Sequence, residues 1–259
     1  LKILYLIILA THIYSQDSNV LKISINNDRD EIYDIFKYHC KKIKYVESKN
    51  VFKLIWGLVF KRKITIDGLN SGNEINKLIS KMCFKKGIQN ICDVPMPLVI
   101  PSVDMFNGNV LCFTSCKKRN FSDEVIFIDD IPIGKAVQAS CSYPVIFSPC
   151  KYKNTKLIDG GIRENVPWKE LNKLGAKNIL SITFDETLNN HCCNNLVEVA
   201  DRSIELLCRE LSNYEMEGAN YVLKIKCPKI NLLDMKKMNE LYYLGYVTMK
   251  NNLKMIKNN

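Results

Sequence analysis

The sequence lacks three features, and each absence excludes a class of protein. No apolar run in its 259 residues approaches the roughly 20 that a membrane-spanning helix needs, so a polytopic membrane protein is excluded. Arg is scarce, with 6 residues and no cluster. Because bidentate recognition of phosphates and bases depends on guanidinium groups, this scarcity disfavours a nucleic-acid-binding protein. Paired C-x-x-C motifs are also missing, which disfavours a zinc site.

The remaining composition is that of a globular protein. Hydrophobic residues make up 47% and charged residues 25% of the chain, which excludes a disordered chain. The formal net charge is +10, and its lysines are spread along the whole sequence, so a general compositional bias explains much of the charge. An acidic partner such as an anionic lipid surface is the alternative. Since there is no internal repeat and no Pro-, Gly- or Ser-rich linker, we expect one domain over residues 1–259.

The cysteines indicate a reducing compartment. There are 11, an odd number, and Cys112-x-x-x-Cys116 and His191-Cys192-Cys193 have no matching second pair. We therefore expect buried thiols, no bound metal and no cofactor, in a cytoplasmic protein that can act at a membrane surface. Secretion stays open, because Lys2 followed by the apolar residues 3–10 resembles a short signal-peptide core as well as a buried strand.

Apolar periodicity predicts helices alternating with buried strands. This order is typical of an α/β protein with a mostly parallel central sheet. The Asn107-Gly108 dipeptide between two apolar runs predicts a hairpin. The predicted helices cover about 31–45, 72–86, 133–140, 167–173, 194–217 and 234–254, and the predicted strands cover 98–104, 110–114, 178–184 and 221–226.

The segment 51–63 permits two interpretations that do not exclude each other. It is apolar and aromatic until it ends in Lys61-Arg62-Lys63. One interpretation is a peripheral membrane contact with cations at its edge. The other is a helix that covers the core, with cations that suit its carboxyl-terminal dipole.

The densest group of chemically special residues lies between 134 and 184. Here Asp159-Gly160-Gly161 follows a buried apolar run, which places a carboxylate at the edge of a sheet where α/β proteins bind ligands. We expect the glycines to supply positive φ angles and a close backbone approach, and Asn165 to hold the following loop. An Asp-Gly pair alone is a common turn, so the argument depends on the surrounding residues.

These surroundings resemble the carboxyl-terminal half of the patatin-like phospholipases. The resemblance extends over roughly 31–250, is strongest at 134–184, and includes upstream strings at 67–72 and 97–104 that look like bacterial members. Its motifs are carried, in order, by Ala139-Ser140, Pro144, Phe147, Pro149, Asp159-Gly160-Gly161, Asn165, Pro167 and Leu174-Gly175-Ala176. The resemblance implies a three-layer α/β/α sandwich with a central, mostly parallel sheet.

The resemblance also implies a lipid acyl hydrolase with a Ser/Asp dyad. In that family a Ser on a G-x-S-x-G turn attacks the carbonyl of a lipid ester, and the Asp of the D-G-[GA] motif, here Asp159, is the general base. Gly160 and Gly161 belong to the same catalytic motif. A G-x-G-x-x-G loop supplies the oxyanion-stabilising N–H groups. With only 3 His, none in a motif, the chain fits a dyad better than a Ser-His-Asp triad.

Two motifs of that family are missing from this chain. Neither G-x-S-x-G nor G-x-G-x-x-G occurs in residues 1–259. In Gly68-Leu-Asn-Ser71-Gly72 the Ser is one place too late. It also lacks the complete arrangement of strand, sharp turn and helix that exposes a nucleophile. Ser140 and Ser142 match no nucleophile elbow either.

By alignment with the family's motifs, the nucleophile elbow should lie in or before residues 1–29, and these residues include no glycine. Residues 1–29 contain Ser15 and Ser18, but a tight turn without glycine is strained, so both are poor nucleophile candidates. The amino-terminal part is therefore incomplete or divergent.

Two hypotheses account for the missing motifs, and whether the chain is an enzyme stays open. Either it is a fragment or a frame-damaged form of a working hydrolase, which the start at Leu1 favours, or it is a pseudoenzyme that keeps the fold. The first predicts a G-x-S-x-G encoded just upstream of, or overlapping, codons 1–29. An intact upstream sequence without that motif contradicts it.

Overall fold

The computed structural model describes residues 48–49, 52, 56, 67–116, 125–186, 194–227 and 238–257. The predicted helix at 31–45, most of segment 51–63, and Ser15 and Ser18 lie outside the described residues. The chain divides into two compact units, one formed by Ile43–Pro167 with Cys193–Leu211, the other by Leu1–Lys42, Trp168–Cys192 and Ser212–Asn259. The expectation of a single domain stays a prediction.

The first unit is built on a five-stranded sheet in the order β3-β2-β1-β5-β4. Among the described strands of this sheet β2 and β3 run parallel and the other pairs run antiparallel, so this part of the predicted mostly parallel sheet is mixed. The physical reason is that β1–β2 and β4–β5 are hairpins, whose short turns force antiparallel pairing. The strands are β1 (Val99–Asp104), β2 (Val110–Thr114), β3 (Val125–Ile128), β4 (Cys150–Tyr152) and β5 (Thr155–Asp159).

The β1–β2 hairpin is the one that the sequence predicts. Val99 pairs with Thr114 and Val103 with Val110, so the turn falls on residues 105–109, with Gly108 at φ 77°. Every residue of β2 is buried, and Phe113 lies at the centre of the apolar core. The hairpin signal therefore fixes the centre of the sheet.

Two helices of the first unit pack on each other and anchor the sheet. They are α1 (Asn73–Phe84) and α2 (Ile133–Ser140), and α2 also packs on β1 and β5. Their interface is polar as well as close. The Gln138 side-chain amide donates to the Ser71 carbonyl at 2.9 Å and accepts from Asn76 Nδ2 at 3.0 Å. This satisfied amide fixes the register of the two helices.

In the second unit, β6 (Leu180–Glu186) and β7 (Tyr221–Cys227) form a parallel pair. A short helix, α3 (Trp168–Lys173), precedes β6, and Gly175 follows it at φ 97°, the left-handed conformation in which glycine commonly ends a helix. The long helix α4 (Leu196–Met216) has its last residues, from Ser212, in this unit. The chain ends with α5 (Met238–Lys257). The α/β class is confirmed.

None of the helices in the described ranges is long and apolar enough to cross a membrane.

Gly134 provides a test of the α1–α2 packing. A Cβ at this position would contact Ser80 Oγ and lie 2.6 Å from the backbone oxygen of Asn76. Since a backbone carbonyl cannot move aside cheaply, we expect Gly134→Ala to lower the free energy of unfolding by about 1–3 kcal/mol. The matched control is Gly245→Ala in α5, where nothing lies within 4 Å, and where we expect a gain of up to about 1 kcal/mol. Urea unfolding measures both, and equal stabilities would contradict the packing argument.

Candidate functional site

Asp159 stands at the end of β5, where the strand gives way to a 3₁₀ turn, Gly160–Ile162. Its side chain is 1% exposed. Oδ1 accepts a hydrogen bond from the Gly161 N–H at 2.8 Å. In the part of the chain that the structure describes, Oδ2 is buried and has no hydrogen-bond partner. One oxygen of this carboxylate is therefore fixed by the backbone, and no described residue bonds to the other.

The surroundings of Asp159 alter its proton affinity. Burial raises the pKa of the Asp159 carboxyl to about 7, although the hydrogen bond from the Gly161 N–H acts in the opposite direction. At neutral pH both protonation states are then populated. A carboxylate with such a pKa can take up a proton and release it again, which is the property of a general base.

The two glycines act through close approach. A Cβ on Gly160 would lie 2.5 Å from the Pro101 carbonyl oxygen of β1, and one on Gly161 would lie 2.9 Å from Asn165 Oδ1. The expectation that these glycines supply positive φ is wrong, because neither lies in the left-handed region. The motif needs glycine because the turn lies directly against a strand and a side-chain amide.

Helix α4 holds the loop after Asp159 from the other side. Asn165 Nδ2 donates to the Cys208 carbonyl at 3.4 Å, which confirms that Asn165 anchors the loop. The Cys208 thiol donates to the Gly161 carbonyl at 3.4 Å. The sequence predicts a helix that begins at Pro167, but α3 begins one residue later, and Pro167 directly precedes it. The sequence gives no signal for Cys208, because it lies far along the chain.

The serines at the end of α2 and just after it are structural. Ser140 and Ser142 are both buried. The Ser142 hydroxyl donates to the Gln138 carbonyl at 2.8 Å, and the Ser142 carbonyl accepts the Asp159 N–H at 3.0 Å. The hydroxyl proton of Ser142 is thus engaged by its own helix, as the absence of an elbow pattern indicates.

Cys141 lies close enough to Asp159 to interact with its charge. Burial, together with that negative charge, raises the pKa of the Cys141 thiol to about 12. The nucleophilic form of cysteine is the thiolate. At neutral pH Cys141 is protonated, so it acts as a small buried residue beside the carboxylate.

The turn that follows Cys141 is tied down and strained. The Tyr143 hydroxyl donates to Asp201 Oδ1 on α4 at 3.1 Å, and burial is the main cause that raises the pKa of this phenol. Val145, two residues further on, has φ 70°, a conformation that is costly for a β-branched residue. Strain of this kind concentrates near functional sites.

The surroundings of Ser71 include a turn and a helix, and a single bridged residue in place of the strand of a nucleophile elbow. A single bridge, from Asn70 to Phe147, precedes it, and Gly72 at φ 69° leads into α1. A turn and a helix therefore do follow Ser71, but one bridged residue stands where a nucleophile elbow has a strand. The Ser71 hydroxyl accepts the Asn73 N–H at 3.5 Å, as expected of a residue next to a helix start.

Within the described ranges, no group of three or more His, Cys, Asp or Glu side chains could hold a metal ion. The expectation that the protein uses neither a metal nor a cofactor stays a prediction.

Comparison with known proteins identifies the family. Residues 18–172, more than half of the chain, match the family model described as patatin-like phospholipase. The chain belongs to this family of lipid acyl hydrolases, whose fold is an α/β/α sandwich and which acts on lipid esters.

One curated relative is the uncharacterized protein YqhO of Bacillus subtilis (strain 168). It is 28% identical over 122 residues, which cover 45% of this chain and 40% of YqhO. The chain therefore spans less than half the length of this relative.

The pKa of Asp159 leads to a test by stability. Because the native state keeps a proton that the unfolded chain releases above about pH 4, the free energy of unfolding should fall as the pH rises from about 4 to 7. Asp159→Asn should remove this fall, so the two curves should differ in slope by up to about 1.4 kcal/mol per pH unit. Urea unfolding between pH 5 and 8 measures the difference.

The control for this test is Asp93→Asn. Hydrogen bonds from the Asn90 and Gln89 N–H groups lower the pKa of the Asp93 carboxyl. This group therefore stays ionised above pH 5 in both states, and its loss should leave the slope unchanged. Parallel curves for the wild type and Asp159→Asn would contradict the raised pKa.

Proposed function

We propose that this chain carries the base-bearing part of a lipid acyl hydrolase site, with Asp159 as the general base for a serine nucleophile. The observation that supports this role is the buried carboxylate, with Oδ1 held by the Gly161 N–H and Oδ2 without a hydrogen-bond partner among the described residues. Its pKa of about 7 suits a group that must both accept and return a proton. The substrates are carboxylic esters of phospholipids or neutral lipids.

The proposed chemistry assigns a separate task to each part of the motif. As a serine oxygen attacks the ester carbonyl carbon, Asp159 Oδ2 takes the hydroxyl proton, and it then gives this proton to the leaving alcohol oxygen. Water next attacks the acyl–serine ester, and the proton passes from water to Asp159 and on to the serine oxygen. Gly160 and Gly161 keep the carboxylate in place by lying against β1 and Asn165.

For the 259-residue chain itself, we propose that no serine-dependent turnover occurs. The sequence contains neither a G-x-S-x-G elbow nor a G-x-G-x-x-G loop. Ser140 and Ser142 are buried, so neither of these two described serines offers a substitute nucleophile. A second candidate function follows from the same absence: a non-catalytic protein of this fold that binds a lipid or a partner.

Covalent labelling tests this proposal. We expect a fluorophosphonate probe to leave the purified chain unlabelled and an ester substrate such as p-nitrophenyl butyrate to remain unhydrolysed, because no elbow presents an activated serine. An active serine hydrolase treated in parallel is the positive control. A covalent adduct mapped to a Ser would refute the absence of turnover.

The variant Asp159→Asn separates the two candidate functions. In a form of the protein whose nucleophile motif has been restored, it should abolish hydrolysis, since the amide cannot accept the proton. In a binding protein it should leave lipid binding unchanged, because Asn keeps the oxygen that the Gly161 N–H contacts.

We also propose that segment 51–63 contacts membranes peripherally. Two of its residues are described, Phe52 and Trp56, and both are helical and exposed. Their rings stack with centroids 5.6 Å apart, as side chains four residues apart on one helix face can do. Exposed aromatic residues that are followed in the sequence by cations, here Lys61-Arg62-Lys63, are typical of an interfacial helix.

Binding to anionic vesicles tests this contact. We expect it to fall steeply with added salt and to weaken when Lys61, Arg62 and Lys63 are all changed to Gln, because each cation near an anionic surface contributes about 1 kcal/mol. Sedimentation with the vesicles measures the bound fraction. The control replaces Lys77, Lys81 and Lys85 of the α1 region by Gln, and unchanged binding in the 61–63 variant would count against the role.

A further inference from the structure

The turn between β1 and β2 presents two large apolar side chains to solvent. Met105 is 56% exposed and Phe106 is 68% exposed, and they are adjacent in the sequence. Single exposed apolar residues are ordinary on protein surfaces. Two neighbours on the tip of a hairpin, here named the tip (residues 105–108), are a more specific feature.

The tip is held rigidly in this conformation. The Met105 N–H donates to the Lys156 carbonyl of β5 at 2.8 Å, and the Phe106 N–H donates to Asp104 Oδ1 at 2.8 Å. The Gly108 N–H donates to the Asp104 carbonyl at 2.8 Å. These bonds fix the backbone, so the exposure of the two side chains does not come from a loose loop.

A further contact ties the tip to the loop that follows Asp159. Arg163 Nη1 donates to the Gly108 carbonyl at 2.6 Å. In addition, Asp159 pairs with Ser102 in the sheet. Met105, the residue after β1, therefore lies three residues beyond Ser102, about 10 Å along the strand direction from that pair. The tip and the candidate site belong to one rigid piece of the first unit.

Exposed cations lie on the segments that adjoin the tip, namely β4 with its turn to β5 and the loop whose Arg163 bonds to Gly108. Lys151, Lys153 and Arg163 are exposed. The neighbouring carboxylates are engaged: Asp104 is buried and accepts the bonds of the tip and of the Thr155 hydroxyl, and Asp67 forms an ion pair of 3.1 Å with Lys156. Apolar side chains with a rim of cations complement a surface that is apolar inside and negative outside.

We propose that the tip docks the protein on a phospholipid surface that carries anionic headgroups, with Met105 and Phe106 inserted among the acyl chains. The nearby cations contact the headgroups. A convex tip suits insertion into a fluid interface, whereas a protein partner for it would have to supply a matching pocket. This surface is distinct from segment 51–63, and it does not depend on turnover of an ester.

The test compares vesicle binding of two phenylalanine variants of the full chain. The vesicles contain ether-linked lipids, which have no ester to hydrolyse, either as phosphatidylcholine analogues alone or mixed with phosphatidylglycerol analogues. Phe106→Ser should weaken partitioning into the mixed vesicles roughly tenfold to a hundredfold, because the apolar anchor is lost. Phe84→Ser, which changes an equally exposed phenylalanine (66%) at the end of α1, should bind like the wild type.

A charge variant tests the choice of lipid. Lys151→Gln combined with Lys153→Gln should weaken binding to the mixed vesicles and leave the weak binding to pure phosphatidylcholine analogues unchanged. Arg163 is left intact in this variant, because it also holds the tip. Thermal unfolding should be unaltered in all variants, since the changed side chains are exposed.

Three results would overturn the proposal. One is a wild-type chain that does not bind the mixed vesicles. Another is Phe106→Ser binding as tightly as the wild type. If changes at 61–63 or added heparin abolish binding in that case, the contact is one of charge or of segment 51–63 and not of the tip. The last is an equal loss in Phe84→Ser. A lack of hydrolysis in the labelling experiment does not affect this outcome, so the two proposals can fail separately.

Discussion

Everything around Asp159 depends on how closely the turn after β5 approaches the backbone of β1. The antiparallel pairing of Ser102 with Asp159 brings the Pro101 carbonyl against Gly160, at a separation that leaves no room for a side chain. That approach folds the turn back and directs the Gly161 N–H at Asp159 Oδ1. Burial then raises the pKa of the carboxyl. The close approach of Gly160 to the Pro101 carbonyl thus determines the environment, and with it the pKa, of the Asp159 carboxyl.

Most elements with strong local signals could be predicted from the sequence. The Asn107-Gly108 turn and the helix over Ile133–Ser140 are found where they are expected, because turn residues and apolar periodicity act over a few neighbours. Strands β3 and β4 have four and three residues, too few to show a period. The turn between β4 and β5 has no glycine, and Lys153 adopts φ 47° there. Because neither strand is recognisable, the sequence predicts neither the β4–β5 hairpin nor the parallel partner of β2.

The motif of the candidate site could be predicted from the sequence, but the contacts that hold the motif in place could not. Asp159, Gly160 and Gly161 are contiguous, so their turn chemistry can be read directly from the sequence. The Cys208 thiol on α4 bonds to Gly161, and Asp201 on the same helix holds Tyr143 in the preceding turn. No local pattern relates residues so far apart. The sequence also suggested the wrong reason for the glycines, because a crowded neighbour and a positive φ both select the same residue.

The bridge between Asn70 and Phe147 has a consequence for how this half of the protein folds. Val145 has a strained backbone, and its carbonyl accepts the Leu69 N–H. The carbonyl of the next residue, Ile146, accepts the Asn70 N–H. Those bonds join parts of the chain that are remote in sequence, and closing such a long loop costs entropy before any contact forms. The segment at Leu69 and Asn70 and the strained segment at Val145 therefore stabilise each other only once both are in place. We therefore expect this part of the protein to form cooperatively, because neither segment can adopt its native geometry alone.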